Sequence, residues 1–369
     1  MSQALVSLLA ELVGIDSTST LTNRPLVQVL RRRLEAAGFS CDEVMYSDAA
    51  GVEKVNLVAT SGAGLPELAL VGHTDCVPYD VEWKEALTLT ERGGMLYGRG
   101  ACDTKSFIAC AVIAAERTKG ARTKALRLVF TADEELGCLG AKKLVEVQKG
   151  HAKRAIVGEP TSLRPIRANK GYCLAEVEVH GKEGHSAYPE TGVSAVFQAA
   201  RLLNRLEAFS LGALRVKRDE AFVPPFTTLN VGLLSGGRAK NVIPGACRFT
   251  LEWRPLPGQA TEVVLREVQQ LCAALTAETN GAFKATVKPL RMDRGFSTPP
   301  EADVVQFLSA ASGRAPDTVA FGTEGPQLAA LGATPVVFGP GDITVAHQTG
   351  EHVPVNELHR AAEVLEAAV

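Results

Sequence analysis

The sequence predicts an α/β protein: a mostly parallel sheet flanked by helices, into which a ferredoxin-like βαββαβ domain is inserted. Two observations carry this prediction. Segments 68–71 and 126–130 are almost continuously apolar, as are strands of a parallel sheet that is covered on both faces. Residues 172–180 instead alternate apolar and polar side chains, which is typical of an antiparallel sheet with one buried and one solvent-exposed face. A chain of 369 residues is long enough for about two domains.

Helical and strand-like patterns alternate along the first part of the chain, as in an α/β domain. Apolar residues from Leu5 to Val13 recur at helical spacing, and so do those of a helix over 24–37 that stops at Gly38. Further along, strands are predicted at 55–60, 67–72, 126–131 and 155–158, and helices at 104–118 and 138–148.

The pattern changes near Gly171, where the predicted elements take the order βαββαβ of the ferredoxin-like arrangement. These elements are a strand at 172–180, a helix at 192–208, strands at 227–235 and 245–253, a helix at 260–277 and a strand at 283–289. After residue 290 the α/β pattern returns, with a helix at 302–312, strands at 319–321 and 335–338, and a helix at 356–368. We therefore expect residues 1–171 and 290–369 to form one domain and 172–289 a second.

Composition excludes several classes of protein. Lys and Arg number 39 against 41 Asp and Glu, so the chain has no basic excess with which to bind nucleic acid. No apolar run approaches the ~20 residues that span a bilayer, so no membrane segment is expected. The eight cysteines are not paired at metal-binding spacing, and the first residues lack the basic region of a signal peptide. We expect a cytoplasmic protein.

Histidines and acids follow several of the predicted strands. His73 and Asp75 come directly after an apolar strand, where a histidine ligand and the carboxylate that orients it could lie side by side. A surface histidine beside a turn aspartate is the alternative. Asp103 precedes a predicted helix, where it could instead be an N-cap.

Three consecutive acids, Asp133, Glu134 and Glu135, end another apolar strand. Carboxylates ~4 Å apart repel by about 4 kcal/mol at an effective dielectric of ~20, and a divalent cation would relieve this repulsion. A solvated turn is the alternative. Glu159 and His347 also follow apolar strands, and could equally be a turn glutamate and a loop histidine.

Taken together, these residues indicate a metal site, because sites in open α/β sheets form beyond the carboxyl ends of the strands. Histidine and carboxylate ligands without cysteine suit zinc, cobalt or manganese in a hydrolase. Two metals bridged by one carboxylate would use two histidines and three acids, and one acid would remain as a general base.

The motifs around these residues resemble those of the M20 metallopeptidase/deacylase family over nearly the whole chain. The resemblance implies a two-zinc catalytic domain, in which Co²⁺ or Mn²⁺ can replace Zn²⁺, and an inserted domain that forms a homodimer. It is carried by Gly72-His73-Thr74-Asp75, Leu96-Tyr97-Gly98-Arg99-Gly100, Thr131-Ala132-Asp133-Glu134-Glu135, Gly158-Glu159-Pro160-Thr161-Ser162-Leu163, Gly184-His185-Ser186, Thr228-Leu229-Asn230, Arg254-Pro255-Leu256-Pro257-Gly258, Thr323-Glu324 and Gly339-Pro340-Gly341 with Ala346-His347-Gln348.

The resemblance also implies a role for each candidate residue. Asp103 would bridge the two zinc ions, and Glu134 would act as the general base and acid. His73 and Glu159 would be ligands of one zinc, and Glu135 and His347 ligands of the other. Asp75 would orient His73, and His185 would reach the partner subunit's active site and polarise the scissile carbonyl. Asn241 and Arg254 would contact the substrate carboxylate.

Within the family, the motifs are most similar to those of members that deacetylate N2-acetyl-L-ornithine, a small N-acyl amino acid. Glu324 could pair with the δ-ammonium of such a substrate, or could simply be a glutamate in the first turn of a helix. N-acetylcitrulline, succinyl-diaminopimelate and dipeptides remain alternative substrates. Thr323–Pro326 stands where desuccinylases have Ser-Asp-Gly-Arg, which argues against succinyl-diaminopimelate.

Two readings from other classes are a catalytically inactive interaction protein and a purely structural metal site. The complete ligand set argues against the first, and the spare Glu134 argues against the second.

The chain also departs from the family pattern. Thr104-Lys105-Ser106 replaces Met-Lys-Gly after Asp103, and Thr349–His352 is expected near the pocket, where it would bear on fine specificity.

Overall fold

The computed structural model describes residues 2–369 and divides into two compact units. Unit 1 comprises Met1–Ala168, Thr298–Asp317 and Thr323–Val369, and unit 2 comprises Asn169–Ser297 and Thr318–Gly322. Unit 2 therefore extends beyond the expected insertion of 172–289 at both ends, and takes in a further short segment from the later part of the chain.

The strands and α-helices are numbered here in chain order. The strands are β1 (Ser40–Ser47), β2 (Glu53–Ser61), β3 (Leu68–His73), β4 (Thr90–Arg92), β5 (Met95–Tyr97), β6 (Leu126–Thr131), β7 (Arg154–Val157), β8 (Ile166–Asn169), β9 (Tyr172–His180), β10 (Gly184–His185), β11 (Thr228–Gly236), β12 (Val242–Ile243), β13 (Ala246–Arg254), β14 (Lys284–Asp293), β15 (Phe296–Ser297), β16 (Asp317–Val319), β17 (Thr334–Val337) and β18 (His352–Pro354). The helices are α1 (Ser2–Val13), α2 (Arg24–Ala36), α3 (Lys105–Arg117), α4 (Leu139–Glu146), α5 (Ala195–Leu211), α6 (Val263–Glu278), α7 (Asp303–Ser312), α8 (Gly325–Ala330) and α9 (Val355–Ala368).

The main sheet of unit 1 is parallel at its centre, which confirms the predicted fold class. Neighbouring strands follow the order β1-β2-β6-β3-β7-β17-β8. The pairs β6–β3, β3–β7 and β7–β17 are parallel, whereas β1–β2, β2–β6 and β17–β8 are antiparallel. The central strands need cover on both faces, and all six residues of β3 are buried accordingly.

Helix α3 covers this sheet directly behind the candidate site. Eleven of its residues, from Lys105 to Ala115, are buried. Phe107 lies so close to the backbone at Gly158 that a Cβ there would come within 2.2 Å of its ring. Gly158 follows β7, so a glycine at this position allows the chain to pass beneath α3 before it reaches Glu159.

The parallel register brings the ends of three strands to one edge of the sheet. His73 of β3 pairs with Thr131 of β6, and Val71 pairs with Val157 of β7. Residues that follow β3, β6 and β7 therefore emerge side by side, as expected for the carboxyl ends of parallel strands.

Unit 2 contains the predicted βαββαβ elements: β9, α5, β11, β13, α6 and β14. Its sheet has the order β11-β13-β9-β14, and every pair is antiparallel. In β9, Cys173, Ala175, Val177 and Val179 are buried and the intervening residues are partly exposed, as their alternation predicts. The buried side chains pack with α5 and α6 into a core of their own.

Several short strands differ from the prediction. The strand expected at 319–321 instead lies at Asp317–Val319, and the carbonyl of Phe321 accepts a hydrogen bond from the Asn169 amide. Strand β1 has no predicted counterpart, because it lies at the sheet edge and its partly exposed, polar side chains lack an apolar run.

Among residues 2–369 no helix is both long and apolar enough to cross a membrane.

Candidate metal centre

Six of the predicted site residues of unit 1 gather at the carboxyl edge of the parallel strands. His73, Asp103 and Glu159 are 1%, 5% and 5% exposed, so their polar groups are almost entirely removed from water. Glu134 and Glu135 follow β6 and are partly exposed. The sixth, His347, lies beyond β17 and has a left-handed backbone conformation, with φ of 61°.

The two carboxylate oxygens of Asp103 face two different histidines. Its Oδ1 lies 2.9 Å from Nε2 of His73, and its Oδ2 lies 3.1 Å from Nε2 of His347. The same nitrogen of His347 lies 3.1 Å from Oε1 of Glu135. Asp103 therefore occupies the position between two ligand groups that a bridging carboxylate requires.

Two sets of three ligand atoms lie close enough together to hold a cation. The atoms of His73, Asp103 and Glu135 form one set, and those of His73, Glu134 and Glu159 form the other, with all atoms of a set within 4.8 Å of one another. These sets differ from the ligand pairing that the family resemblance implies. They contain four of the five implied ligands, together with Glu134, the implied general base, and they do not contain His347. His347 joins the centre through Asp103 and Glu135.

Three of the four carboxylates in this cluster have raised pKa values, and the fourth, Asp103, has a lowered one. Burial raises the pKa of Glu134 to about 8, and burial followed by the charges of Asp103 and Glu134 raises the pKa of Glu159 well above its ordinary value. Burial also raises the pKa of Glu135. Burial opposes ionisation of Asp103 as well, but hydrogen bonds from His347 and His73 outweigh it and hold its pKa below the ordinary value.

These properties fit a divalent metal centre. Two imidazoles and several carboxylates, without thiolates, are ligands suited to zinc in a hydrolytic site. A dication would offset the mutual repulsion that burial imposes on the acids. Contacts with Asp103 and Glu135 raise the pKa of His347 to about 10, so a metal at this position competes with a proton.

Asp75 supports the centre in a way that the sequence did not indicate. Its backbone carbonyl oxygen is 3.0 Å from Nδ1 of His73, whereas its carboxylate Oδ1 is 3.6 Å away. The carboxylate instead accepts the backbone N–H groups of Glu134 and Glu135 at 3.0 and 3.3 Å, and the hydroxyl of Ser19 at 2.8 Å.

The first acid of the Asp133–Glu135 run has a separate environment. Asp133 is fully buried and pairs with Nζ of Lys54 at 3.0 Å, while the hydroxyl of Tyr46 donates to its other oxygen at 2.9 Å. Lys54 is itself only 1% exposed. Asp133 has a left-handed backbone, with φ of 54°, so this ion pair anchors the turn that presents Glu134.

Glu324 is buried at the start of α8 and is 1% exposed. Within residues 2–369 neither carboxyl oxygen makes a hydrogen bond of good geometry, and the nearby Thr131 side chain only partly opposes the effect of burial. Burial raises the pKa of Glu324 to about 7. A buried carboxyl group without a hydrogen bond of good geometry is a costly feature, and a cationic group that reached it would remove that cost.

Three predicted residues belong to unit 2. His185 is exposed on β10, which pairs with β12, and the backbone N–H of Ser186 donates to the carbonyl of Asn241 at 3.2 Å. His185 and Asn241 are therefore near neighbours. Arg254 donates to Glu252 at 2.7 Å, and its guanidinium lies 3.6 Å from the ring centre of Tyr172.

Two further residues contact the cluster: Cys138, which the sequence did not single out, and Glu351, which lies in the segment expected near the pocket. The thiol of Cys138 donates to Oε1 of Glu134 at 3.3 Å, and a carboxylate oxygen of Glu351 accepts the backbone N–H of Asp103 at 3.0 Å. The resemblance had placed Thr349–His352 near the pocket, but its motif did not show what Glu351 contacts. An uncharged cysteine on a helical turn gave no signal at all.

The fold and this cluster define a class of protein, a metal-dependent amide hydrolase. The model of peptidase family M20/M25/M40 matches residues 69–369, and the chain belongs to this family.

Full-length relatives are similar throughout. The chain is 59% identical over 369 residues to acetylornithine deacetylase of Myxococcus xanthus, covering 99% of this chain and 97% of the relative. It is 34% identical to acetylornithine deacetylase of Proteus mirabilis, covering 95% and 90% of the two chains.

Solved structures share the fold. Aminopeptidase PepT from Bacillus cereus superimposes with a TM-score of 0.81 at 22% identity, covering 100% of this chain and 99% of that one. A dinuclear metal-binding peptidase of the M20 family from Bacillus subtilis superimposes with a TM-score of 0.71 at 14% identity, covering 99% and 97%.

Proposed function

We propose that the protein hydrolyses N2-acetyl-L-ornithine to L-ornithine and acetate, using two zinc ions. The observation that carries this proposal is the position of Asp103, whose two carboxylate oxygens face His73 and His347 while Glu134 stands beside them. The choice of substrate is supported by the 59% identity to a full-length acetylornithine deacetylase. That reaction belongs to arginine biosynthesis, as the family resemblance implies.

The metal ligands in this proposal are Asp103 as the bridge, His73 and Glu159 on one side, and Glu135 and His347 on the other. Zinc, when bound, lowers the pKa of water toward about 7 and polarises the acetyl carbonyl. Glu134 takes the proton from the attacking water and delivers it to the departing α-amine. Glu134 can do both because it ligates neither metal in this proposal, so its carboxylate is free to accept the proton and then release it.

His185 and Asn241 are proposed to act on the substrate from unit 2. His185 would donate a hydrogen bond to the oxyanion that develops from the acetyl carbonyl. We further propose that His185 does so in the active site of a partner subunit, within a homodimer. This is supported by exposed apolar side chains on unit 2, including Phe197 at 73% and Leu233 at 71% exposed.

Complementation tests the role of His185 in a partner subunit. Mixed dimers of His185→Ala and Glu134→Ala subunits contain one site with both residues intact, so part of the activity should return. Dimers that form but stay inactive would overturn the trans role.

Two charged residues are proposed to select the substrate. Glu324 would pair with the δ-ammonium of ornithine, a charged partner for a buried carboxyl group that makes no hydrogen bond of good geometry within residues 2–369. Arg254 and Asn241 would contact the substrate carboxylate. Arg254 is held by Glu252 and Tyr172, which would fix the direction of its remaining donors.

We place this activity in the cytoplasm. No disulfide joins the eight cysteines within the described residues, which suits a reducing compartment.

Acetate release from N-acetylornithine and N-acetylcitrulline, each measured with added zinc and with a chelator, tests the proposed function. We expect rapid, chelator-sensitive hydrolysis of N-acetylornithine and much slower hydrolysis of N-acetylcitrulline. Preference for the citrulline compound would retain the reaction and overturn the role of Glu324. No acetate from either compound would overturn the proposed substrate and direct the search to succinylated amino acids and dipeptides.

A further inference from the structure

A buried ion pair lies beneath the loop that carries Asp103. Nη1 of Arg99 donates to Oε2 of Glu351 at 2.5 Å, and the two side chains are 2% and 1% exposed. Residues 99 and 351 are 252 positions apart in the sequence. A buried carboxylate of this kind is stabilised only when its remaining acceptor sites are also used.

The other carboxylate oxygen of Glu351 accepts hydrogen bonds from backbone N–H groups. Oε1 accepts the N–H groups of Cys102 and Asp103 at 2.9 and 3.0 Å. Glu351 therefore holds two consecutive peptide groups at the point where the chain presents the Asp103 side chain. A charged acceptor makes these hydrogen bonds stronger than neutral ones would be.

The same glutamate belongs to the segment that carries His347. The backbone N–H of Glu351 donates to the carbonyl of Gln348 at 3.2 Å, so the turn closes on itself directly after the histidine. The carbonyl of Glu351 accepts the N–H of Gly98 at 3.1 Å, and β18 continues the pairing alongside β5. The two segments are thus joined by backbone contacts as well as by the Glu351 side chain.

We propose that Glu351, held by Arg99, is a positioning residue that sets the distance between Asp103 and His347. Its carboxylate ties the Asp103 loop to the His347 segment, so that the Asp103 carboxylate meets the histidine at the proper place for a shared metal. This inference rests on the proposed metal-binding roles of Asp103 and His347.

Glu351→Gln tests the proposal, because the shape is kept and the charge is lost. If the amide oxygen faces the two backbone N–H groups, the amide nitrogen faces Arg99 and opposes one donor with another. If the amide is reversed, the same conflict arises at Cys102 and Asp103. Either arrangement loosens the loop without removing a metal ligand.

The primary measurement is zinc affinity, determined by competition with a chromogenic chelator. Removing such a supporting partner typically costs about 10–100-fold in metal affinity or activity. We expect Glu351→Gln to weaken at least one zinc site about tenfold or more, and to accelerate hydrogen exchange at the amides of Cys102 and Asp103. At saturating zinc we expect kcat to fall while KM stays nearly constant.

Glu116→Gln is the matched control, because Glu116 forms a two-pronged ion pair with Arg33 between α2 and α3. It should leave zinc affinity unchanged. Zinc affinity for Glu351→Gln within threefold of this control would overturn the proposal. Arg99→Lys serves as a second variant if Glu351→Gln is recovered unfolded. It keeps the positive charge but lacks the planar guanidinium group, and it should also weaken zinc binding.

Zinc binding is measured without substrate, so the inference and the proposed function can fail separately. A wild-type protein that binds two zinc ions but releases no acetate would overturn the proposed substrate alone. Unchanged zinc affinity in both Glu351→Gln and Arg99→Lys, in a protein that hydrolyses N-acetylornithine, would overturn the role of Glu351 alone.

Discussion

The carboxylate of Asp75 accepts the backbone N–H of Glu134, with a distance of 3.0 Å between the oxygen and the nitrogen. The backbone carbonyl of the same residue lies 3.0 Å from Nδ1 of His73. Asp75 thus fixes the candidate general base through its side chain and a candidate metal ligand through its main chain. Its role extends beyond the orientation of His73 that the family resemblance implies.

Asp75→Asn is expected to lower kcat by about 10–100-fold, the usual cost of removing a partner that supports a metal site. An amide nitrogen would replace one of the oxygens that accept the N–H groups of Glu134 and Glu135, so one donor would face another. Steady-state kinetics at saturating zinc provide the measurement. Asp80→Asn is the control, because Asp80 is exposed and accepts the backbone N–H of Glu82 in a surface turn. Equal kcat values for the two variants would contradict the anchoring role.

Lys54→Met should destabilise unit 1, because it leaves the carboxylate of Asp133 buried without its cation. Breaking a buried ion pair by removing one partner costs about 3–5 kcal/mol. Denaturant unfolding followed by tryptophan fluorescence and circular dichroism would measure the change. Lys84→Met, at an exposed lysine, should change the free energy of unfolding by no more than about 0.5 kcal/mol. A similar small change for Lys54→Met would show that the pair contributes little.

Glu324→Gln is expected to reduce the preference for N-acetylornithine over N-acetylcitrulline. Hydrogen bonds to charged groups contribute about 1.5–3 kcal/mol, so kcat/KM for N-acetylornithine should fall by about 10–150-fold. The value for N-acetylcitrulline, which has no charge at that end, should change much less. Parallel measurement of both substrates separates this effect from general damage to the site. A uniform loss on the two substrates would argue against charge pairing.

Lys170 should make the stability of unit 2 depend on pH at alkaline values. Its Nζ donates to the carbonyls of Pro224 and Phe226 at 2.7 and 2.6 Å, and burial lowers its pKa to about 8. Between about pH 8 and the ordinary value of 10.5, the unfolded chain binds this proton and the folded chain does not. The folded state therefore gains stability from this group as pH rises through that window.

Unfolding of wild type and Lys170→Met between pH 7.5 and 10.5 checks this sign. The free energy of wild type relative to the variant should increase across the window. Lys284→Met, at an exposed lysine of β14, provides the control and should track wild type at every pH. A constant difference between wild type and Lys170→Met would contradict the lowered pKa.

Much of the fold follows from local pattern. The run from Leu126 to Thr131 and the alternation from Tyr172 to His180 predicted their strands with the observed ends. Both patterns report directly on burial, which determines strand type. The edge strand β1 lacks such a pattern, and the unit boundaries depend on the packing of distant segments, so neither could be located precisely.

The positions of the candidate metal ligands were predictable for a related reason. His73 ends a parallel strand, and Glu134, Glu135 and Glu159 lie within four residues of the end of one. The carboxyl ends of neighbouring parallel strands meet at one edge of the sheet. The supporting residues follow no such rule. Glu351 reaches the Asp103 loop from 248 residues away, and only the folded backbone reveals which N–H groups it accepts.

The number of zinc ions bound per chain tests the central claim most directly, because Asp103 is proposed to bridge a pair of metals. Titration of the metal-depleted protein with zinc, followed by elemental analysis, should give two ions per chain for wild type. Asp103→Ala should lose tight binding at both positions, whereas Glu324→Gln should retain two. One ion in wild type, or two tightly bound ions in Asp103→Ala, would contradict the bridged pair.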